Sequence, residues 1–477
     1  MQLNYKLARE LTCLEESSCL YCCFAPTIGV KLENQHVHLK KVITPLHLWG
    51  IGVGLVISGE YFGWSYGWGL AGTLGFLFST ALVALMYTSF VFSFTELTTA
   101  IPHAGGPFEY ARRALGPWAG FLAGYASLIE FLFAPPAIAF ALGSYLHFIF
   151  PEISVLIAAI LVFFVFAILN LLGAQYSARF ELIVTLIAVI ELLIFIALVA
   201  PHFSITNFKF NWYPHGFGGV IAAIPYAIWF FLAIEGIALA AEEVGDPKRD
   251  IPKGYISALL TLLFLSTAVM LAAGGVGDWK ILSTLDYPVP EAMAMALGSQ
   301  HSLVKLFAGL GVFGLIASLN GIIFSSSRQV FSLARAGLLP KGLSALSLRT
   351  QAPSWAIIFC FVVGVFSLLS GKTSELIILS AMGAVLMYSI SMVSLFVLRK
   401  KQPFLERPFK APGYPYVPAL ALFLSLLCLT TMIVYNQKVA LIFGAVLAFG
   451  AVVFFLKQRS KSAILQENYE ISMPPPG

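Results

Sequence analysis

Long blocks of apolar residues alternate with short polar segments along most of the chain. The blocks at 155–172 and 182–200 approach or reach the roughly 18–20 residues that a helix needs to cross the hydrocarbon core of a bilayer. Twelve such blocks predict an all-α integral membrane protein, with spans near 44–66, 70–98, 118–149, 153–173, 179–200, 217–240, 254–276, 302–328, 354–371, 374–398, 417–435 and 438–456. The second and third spans exceed one straight crossing, which indicates tilt or a break.

The segments outside this pattern are short, so we predict one membrane domain at 42–456 and no soluble domain. We expect a cytoplasmic leader at 1–41 and a cytoplasmic tail at 457–477, both of them disordered. The leader contains four cysteines between residues 13 and 23. The sequence leaves open whether this cluster is lipidated or whether the leader reflects a start codon assigned too early.

Composition excludes a soluble enzyme, because 59% of the residues are hydrophobic and only 11% are charged, against about 25% in soluble domains. With a cytoplasmic N-terminus, 23 of the 28 lysines and arginines fall on the cytoplasmic side of the predicted spans. This asymmetry follows the positive-inside rule, and it predicts that both termini are cytoplasmic in a plasma (inner) membrane. The net charge of +5 therefore reflects topology and not nucleic-acid binding.

Two spans are interrupted by glycine next to an acidic residue. The first span carries Ser58-Gly59-Glu60, and the sixth carries Glu235-Gly236. If the first five spans and the next five form repeats, these interruptions occupy matching positions, which is typical of a transporter binding site. Backbone without helical hydrogen bonds cannot face lipid, so we expect it to line a cavity and to offer N–H and C=O groups to a ligand.

Glu60 and Glu235 are the main candidates for direct contact with a substrate. A carboxylate inside a bilayer is costly, and its presence favours a functional role. Two of them would suit a cationic substrate, since carboxylates form charge-assisted hydrogen bonds with an ammonium group. Each glutamate could instead cap free backbone N–H groups or face an aqueous vestibule.

The other candidates for the substrate site lie beside these two glutamates. They are Ile57, Ser58, Gly59, Trp229, Phe230, Ala233 and Gly236. Backbone groups at 57–59 and 233–236 would hold the polar remainder of the substrate. The aromatic side chains could attract a cation through their ring faces, or they could serve packing alone.

Coupling to H⁺ or Na⁺ has four candidate residues. Glu130 and Glu191 lie inside the third and fifth spans, where each could carry a proton, be hydrated, or bond to a neighbouring helix. Ser325 and Ser326 lie in the eighth span, where hydroxyl groups could ligate sodium. Hydrogen bonding between helices is the commoner use of such serines.

Several other features indicate no chemistry in this setting. Glu96 and Glu181 are interpreted as boundary residues of their spans. The glycine pattern at 309–314 lies inside a span without a preceding strand, and the Gly-Lys-Thr at 371–373 lacks the glycine that a phosphate loop requires at 366. No catalytic triad or HExxH motif occurs, so we predict no enzyme, no cofactor and no metal site.

Five segments resemble the amino acid–polyamine–organocation (APC) superfamily, and within it most closely the ethanolamine permeases: 52–64, 96–117, 229–236, 241–254 and 327–340. The resemblance covers about residues 42–456. It implies a LeuT-like fold of five plus five inverted repeats with broken helices one and six, two additional helices, and alternating access. It also implies that Ser58 and Gly59 match the unwound segment where backbone N–H groups of amino acid carriers hold a carboxylate.

The chain departs from that family pattern at two places. Glu60 stands where an apolar residue is usual, which favours an amine over an ordinary amino acid as substrate. The fifth span has no lysine, which in many relatives takes the place of sodium, so the resemblance implies neither coupling ion. The sequence therefore predicts a secondary active transporter of a small primary amine, ethanolamine first. The alternatives are an amino acid permease or exchanger and, from another class, a non-transporting membrane sensor.

Overall fold

The computed structural model describes residues 43–173, 177–299, 301–347 and 349–472. The leader with its cysteine cluster lies outside these residues. The α-helices are α1 Pro45–Val56, α2 Ser58–Tyr61, α3 Tyr66–Ala100, α4 Gly106–Leu115, α5 Pro117–Ile149, α6 Val155–Leu171, α7 Ser177–Val199, α8 Ile205–Lys209, α9 Gly216–Ala222, α10 Ile224–Trp229, α11 Pro247–Gly274, α12 Trp279–Leu282, α13 Pro288–Leu297, α14 Ser302–Arg335, α15 Ser354–Leu368, α16 Thr373–Lys401, α17 Tyr416–Tyr435 and α18 Gln437–Ser472. Short 3-10 helices cover Ala200–His202, Ile234–Glu243 and Lys341–Ser344.

Helical segments lie at each of the predicted spans. Within the described ranges, nine helical stretches are long and apolar enough to cross a membrane. The first span is divided into α1 and α2, and the fourth and ninth correspond to the shorter apolar helices α6 and α15. The same ranges contain no β-strand, only a single parallel bridge between Ile43 and Val244. The chain is therefore a multi-pass helical membrane protein, while twelve crossings and an inverted repeat stay predictions.

The second predicted span corresponds to helix α3, which is broken at Gly72. This glycine has a φ of 69°, in the left-handed region, and a β-carbon there would lie 2.6 Å from the carbonyl oxygen of Trp212. That carbonyl accepts hydrogen bonds from the backbone N–H groups of Leu74 (3.0 Å) and Gly75 (3.2 Å). The connecting segment thus satisfies the N–H groups that the break releases.

Helix α5 packs along both α14 and α16 in the interior of the bundle. Its approach to α16 is close, because a β-carbon on Gly383 would lie 2.5 Å from the carbonyl oxygen of Ala126. The hydroxyl of Ser380 also donates to the carbonyl oxygen of Glu130 at 2.8 Å. These contacts fix the part of α5 that carries Glu130. Helix α1 packs against α7, α11 and α14.

One end of the bundle is held by a buried carboxylate, Glu96, near the end of α3. Its two oxygens accept hydrogen bonds from Arg399 at 2.8 and 2.5 Å, and Arg407 lies 3.2 Å away. The backbone N–H of Ala411 donates to the same carboxylate at 2.7 Å. Glu96 lies near a helix end, as the boundary interpretation requires, but it joins α3 to the end of α16 and the segment that follows. We call this end of the bundle the basic end.

We expect Glu96→Gln to lower the stability of the purified protein, because the substitution leaves two arginines beside a neutral amide. Loss of one partner from a buried ion pair costs about 3–5 kcal/mol. The measurement is the midpoint of thermal unfolding in detergent. Glu375→Gln is the matched control, since Glu375 pairs with Lys372 at an exposed site, where about 1 kcal/mol or less is at stake. Equal midpoints for the two variants would contradict the role assigned to Glu96.

Candidate functional site

The interruption between α1 and α2 is made by a side chain from another helix. The hydroxyl of Ser318, on α14, accepts from the backbone N–H of Ser58 at 2.9 Å and donates to the carbonyl oxygen of Gly54 at 2.7 Å. In a continuous α-helix those two backbone groups would bond to each other. The inserted hydroxyl therefore replaces one bond of the helix and satisfies both of the groups that it separates.

The interruption of the sixth predicted span has a different geometry. Helix α10 ends at Trp229, and a 3-10 helix starts at Ile234. Between them Ala233 adopts φ 76° and ψ 8°, a left-handed conformation that costs an alanine about 1–2 kcal/mol. The carbonyl of Ala233 then accepts from the N–H of Gly236 at 2.9 Å. A strained residue of this kind is typical of a functional segment.

The two interruptions are in direct backbone contact. A β-carbon on Gly59 would lie 2.4 Å from the carbonyl oxygen of Trp229 and 3.0 Å from the α-carbon of Phe230. Any side chain at residue 59 would therefore overlap with the end of α10. Glycine at this position is explained by close packing, and the sequence pattern that paired the two interruptions corresponds to a contact in space.

Glu60 is fully buried, and neither of its carboxylate oxygens has a hydrogen-bond partner among the described residues. Only its backbone is engaged, since the carbonyl oxygen of Glu60 accepts from the indole N–H of Trp64 at 3.0 Å. Trp64 in turn stacks on Phe230 with ring centroids 6.0 Å apart. The carboxylate of Glu60 is thus buried without a hydrogen-bond partner in the part of the chain that the structure describes.

Glu235 belongs to a polar cluster that reaches three other helices. The hydroxyl of Tyr388, on α16, donates to Glu235 Oε2 at 2.8 Å, and the hydroxyl of Tyr87, on α3, lies 3.1 Å from that of Tyr388. The carboxyl group of Glu130, on α5, lies close enough to Glu235 to interact with it electrostatically. The oxygens of Glu130 and Glu235 Oε1 have no geometrically well-formed hydrogen bond in the described part of the chain.

The carboxylate that faces Glu235 is therefore Glu130 and not Glu60. The structure gives no hydrogen bond between Glu60 and Glu235 in the described residues, although the segments that carry them touch. Tyr388 and Tyr87 were not among the candidates, because a tyrosine in an apolar span is equally typical of packing. The bond of Tyr388 to Glu235 and the contact of Tyr87 with Tyr388 depend on helix positions that no local pattern indicates.

The aromatic candidates differ in their surroundings. Trp229 packs edge-on against Phe62, with ring centroids 5.4 Å apart, and its indole N–H has no acceptor among the described residues. The ring of Phe230 packs against Trp64 and Phe76, with ring centroids 6.0 and 6.1 Å apart. Both rings pack against other aromatic side chains, and Trp229 in addition has an unpartnered N–H donor among the described residues, which makes it the stronger candidate of the two for contact with a substrate.

Glu191, on α7, is buried in a second polar cluster. Its Oε2 lies 2.7 Å from the hydroxyl of Tyr61, and that hydroxyl is also 3.0 Å from the carbonyl oxygen of Ala188. The hydroxyl of Tyr145 donates to the carbonyl oxygen of Tyr61 at 2.9 Å. Glu191 is thus bonded to the interrupted segment itself, through Tyr61 at the end of α2.

Glu181 lies in the second turn of α7, near the start of its predicted span, and is buried between helices. Its Oε2 accepts a hydrogen bond from the side-chain amide of Asn320 at 3.1 Å, and the side-chain oxygen of Asn320 accepts one from Asn170 at the same distance. Its other oxygen has no partner in the described residues and lies so close to Gly54 that a β-carbon there would be 2.4 Å away. Glycine at residue 54 makes room for this carboxylate beside α1.

The serine candidates for sodium bonding have separate environments. Ser326 donates to the carbonyl oxygen of Ile323 in its own helix. Ser325 lines a small cavity of about 30 Å³ that is also bordered by Gly236 and Glu181. Ser325 therefore lies next to the sixth-span interruption, whereas the hydroxyl of Ser326 bonds to the backbone of its own helix α14.

The buried charged side chains of the described residues are all glutamates. Glu96 and Glu109 have arginine partners, whereas Glu60, Glu130, Glu181, Glu191 and Glu235 have no cationic partner within the described ranges. Burial of a carboxylate without a cation is strongly unfavourable. Such a group is stable as the neutral acid or beside a cation that comes from outside the protein. The interior is therefore suited to a positively charged ligand or to protons.

Comparison with known proteins gives one family. The family model for amino acid permeases matches residues 43–459. The chain is 28% identical over 417 residues to an uncharacterized transporter of Rhizobium meliloti, covering 85% of this chain and 88% of that protein. It is 26% identical over 451 residues to a branched-chain amino acid permease of Bacillus subtilis, with 90% and 95% covered. A D-serine/D-alanine/glycine transporter of Escherichia coli is 25% identical over 392 residues, with 77% and 82% covered.

We expect Ser318→Ala to destabilise the protein, because it leaves the Ser58 N–H and the Gly54 carbonyl without the bridging hydroxyl. An unsatisfied buried polar group costs about 1–3 kcal/mol. The midpoint of thermal unfolding measures this loss. Ser327→Ala is the matched control, since Ser327 is on the same helix, is equally buried, and bonds only to the Phe324 carbonyl oxygen of that helix. An unchanged midpoint in Ser318→Ala would contradict the bridging role.

Proposed function

This chain belongs to the amino acid permease family, and we propose that it is a secondary active transporter of a small primary amine, ethanolamine first, that works by alternating access. The family and the relatives make it a membrane transporter of the amino acid type. The choice of an amine rests on one observation, the buried carboxylates without a cationic partner at the two interruptions. No lysine or arginine belongs to the buried residues of the described part.

The ammonium group of the substrate would compensate Glu60 and the pair formed by Glu130 and Glu235. An ammonium has three N–H donors, and the unpartnered oxygens of these carboxylates supply acceptors. Charge-assisted hydrogen bonds of this kind are shorter and stronger than neutral ones. A substrate carboxylate would meet no buried cation among the residues that the structure describes, which makes a zwitterion the weaker ligand.

The polar remainder of the substrate would be held by backbone groups at 57–59 and 233–236. The left-handed Ala233 supports this proposal, because the turn around it leaves the helical hydrogen-bond pattern. The indole N–H of Trp229 is a further donor without a partner among the described residues. A hydroxyl group such as that of ethanolamine can both donate to a backbone carbonyl and accept from a backbone or indole N–H.

We propose that proton transfer couples transport to a gradient, with Glu130 as the first candidate. Its carboxyl group shares a buried cluster with Glu235, so the arrival of the substrate ammonium would change the preference of the pair for a proton. Glu191 is the second candidate, through its bond to Tyr61. Sodium bound near Ser325 and Ser326 is the alternative coupling, and it is the weaker one because Ser326 bonds to its own helix.

An amino acid permease or exchanger is the second candidate function. It is favoured by two relatives, a branched-chain amino acid permease and a D-serine/D-alanine/glycine transporter. We also propose that the basic end of the bundle is cytoplasmic, with both termini on that side of a plasma membrane. The excess of lysine and arginine in the loops at this end supports the orientation.

In proteoliposomes, we expect ethanolamine to displace a labelled amine substrate better than alanine, leucine or D-alanine does. Glu60→Gln and Glu235→Gln should each weaken amine binding by about 30-fold or more, because loss of one member of a buried charge pair costs 2 kcal/mol or above. Glu152→Gln, at an exposed loop residue, is the matched control. Better displacement by alanine or leucine would favour the amino acid permease. Unchanged affinity in both variants would contradict the pairing of the substrate ammonium with these glutamates.

A second experiment tests the coupling. We expect a pH gradient that is acidic outside the vesicles to stimulate amine uptake, and Glu130→Gln to abolish this stimulation, since glutamine cannot carry a proton. Exchange of labelled for unlabelled substrate without a gradient should persist in the variant, which shows that binding is intact. Stimulation by sodium in place of the pH gradient, or an unchanged response of Glu130→Gln, would exclude Glu130 as the proton carrier.

A further inference from the structure

A cavity of about 490 Å³ lies at the basic end, away from the two interruptions. It is bordered by helix α4, by the end of α14 with the turn after it, and by α18. The charged groups on its wall are three cations, Arg112, Arg335 and Lys457, and one carboxylate, Glu109. The described wall therefore has an excess of positive charge.

The carboxylate offsets only part of this excess, because it is shared between Arg112 on the wall and Arg113 beside it. Glu109 accepts from Arg112 at 2.8 and 2.9 Å and from Arg113 at 2.7 Å. Burial alone would raise the pKa of Glu109, but these hydrogen bonds outweigh it and hold the pKa below its ordinary value. The carboxylate is thus charged and neutralised by two arginines within its own helix.

Arg335 is the cation that the cavity leaves available. Its side chain is exposed, its guanidinium lies 5.5 Å from the ring of Phe331, and none of the ion pairs found in the described part of the chain involves it. Lys457 faces the same cavity and donates to the carbonyl oxygens of Gly337 and Leu339. These bonds hold α18 at Lys457 against the turn after α14, so the cavity is bounded by helices that are bonded to each other.

The rim of the cavity has the composition of a membrane interface. Trp118 stacks on Phe121 at 5.3 Å and on Phe455 at 4.9 Å, and Phe121 stacks on Phe454, which borders the cavity. Tryptophan is enriched at the depth of lipid headgroups. Exposed apolar residues of α18 continue from this rim along the helix, among them Phe449, Val452 and Leu456. A ligand with an anionic head and apolar chains matches both surfaces.

We propose that this cavity binds the headgroup of an anionic phospholipid, with Arg335 in contact with the phosphate and the acyl chains along α18. Basic pockets between helices at the cytoplasmic side are suited to acidic lipid headgroups. A guanidinium bonds to a phosphate through two parallel N–H donors, which gives Arg335 a geometric advantage over lysine. The site is independent of the substrate site, so either assignment can fail without the other.

The test is a titration of the delipidated full-length protein with phosphatidylglycerol or phosphatidylcholine, with bound lipid counted by native mass spectrometry. We expect phosphatidylglycerol to bind more tightly to the unmodified protein. Arg335→Gln should weaken that binding about fivefold, the effect of one cation near an anionic lipid surface, and should leave phosphatidylcholine binding unchanged. Arg335→Lys should retain most of the preference for phosphatidylglycerol. This variant still tests the site if Arg335→Gln does not fold.

The matched control is Lys400→Gln, which removes one exposed cation at the same end of the bundle but outside the cavity. Equal weakening of phosphatidylglycerol binding in Arg335→Gln and Lys400→Gln would overturn the proposed site, because the lipid would then respond to surface charge alone. Equal affinity of the unmodified protein for both lipids would also overturn it. Displacement of phosphatidylglycerol by inorganic phosphate would assign the cavity to a soluble anion instead.

Discussion

A helix that is interrupted inside a membrane has to recover its lost hydrogen bonds from the protein, because lipid offers neither donors nor acceptors. In this chain the hydroxyl of Ser318 supplies them to the first interruption, between Gly54 and Ser58. The second interruption recovers one through the left-handed Ala233. The contact of Gly59 with Trp229 then brings both segments together. The arrangement of the interior follows from these few backbone requirements.

The second constraint is charge. Five buried glutamates lie around the interrupted segments without a cationic partner among the described residues. The tyrosines beside them satisfy single oxygens, Tyr388 at Glu235 and Tyr61 at Glu191, but they bring no positive charge. An interior with this composition favours ligands that carry positive charge. The same carboxylates therefore affect both the choice of ligand and the stability of the protein without ligand.

Much of the helical framework could be predicted from the sequence, because apolar blocks of bilayer length permit few other structures. The two interruptions were also predictable, since glycine beside an acidic residue is rare inside a span. The partners of the glutamates were not. Whether Glu235 faces Glu60 or Glu130 depends on the rotation of α5 by a fraction of a turn, and hydrophobic periodicity is uninformative in helices that are apolar on every side. Ser318 was missed for the same reason, since one serine in an apolar helix gives no sign of the bond that it will make.

The carboxylate of Glu96 also constrains how the chain is made. Its arginine partner at 399 lies 303 residues further along the sequence. At a synthesis rate of 5–20 residues per second, roughly 15–60 s pass between the two. During that interval a charge placed near the end of the second span has no permanent partner, and the basic end of the bundle cannot close. Membrane insertion of the early helices and final assembly of the bundle are therefore separate events, with a waiting time set by the ribosome.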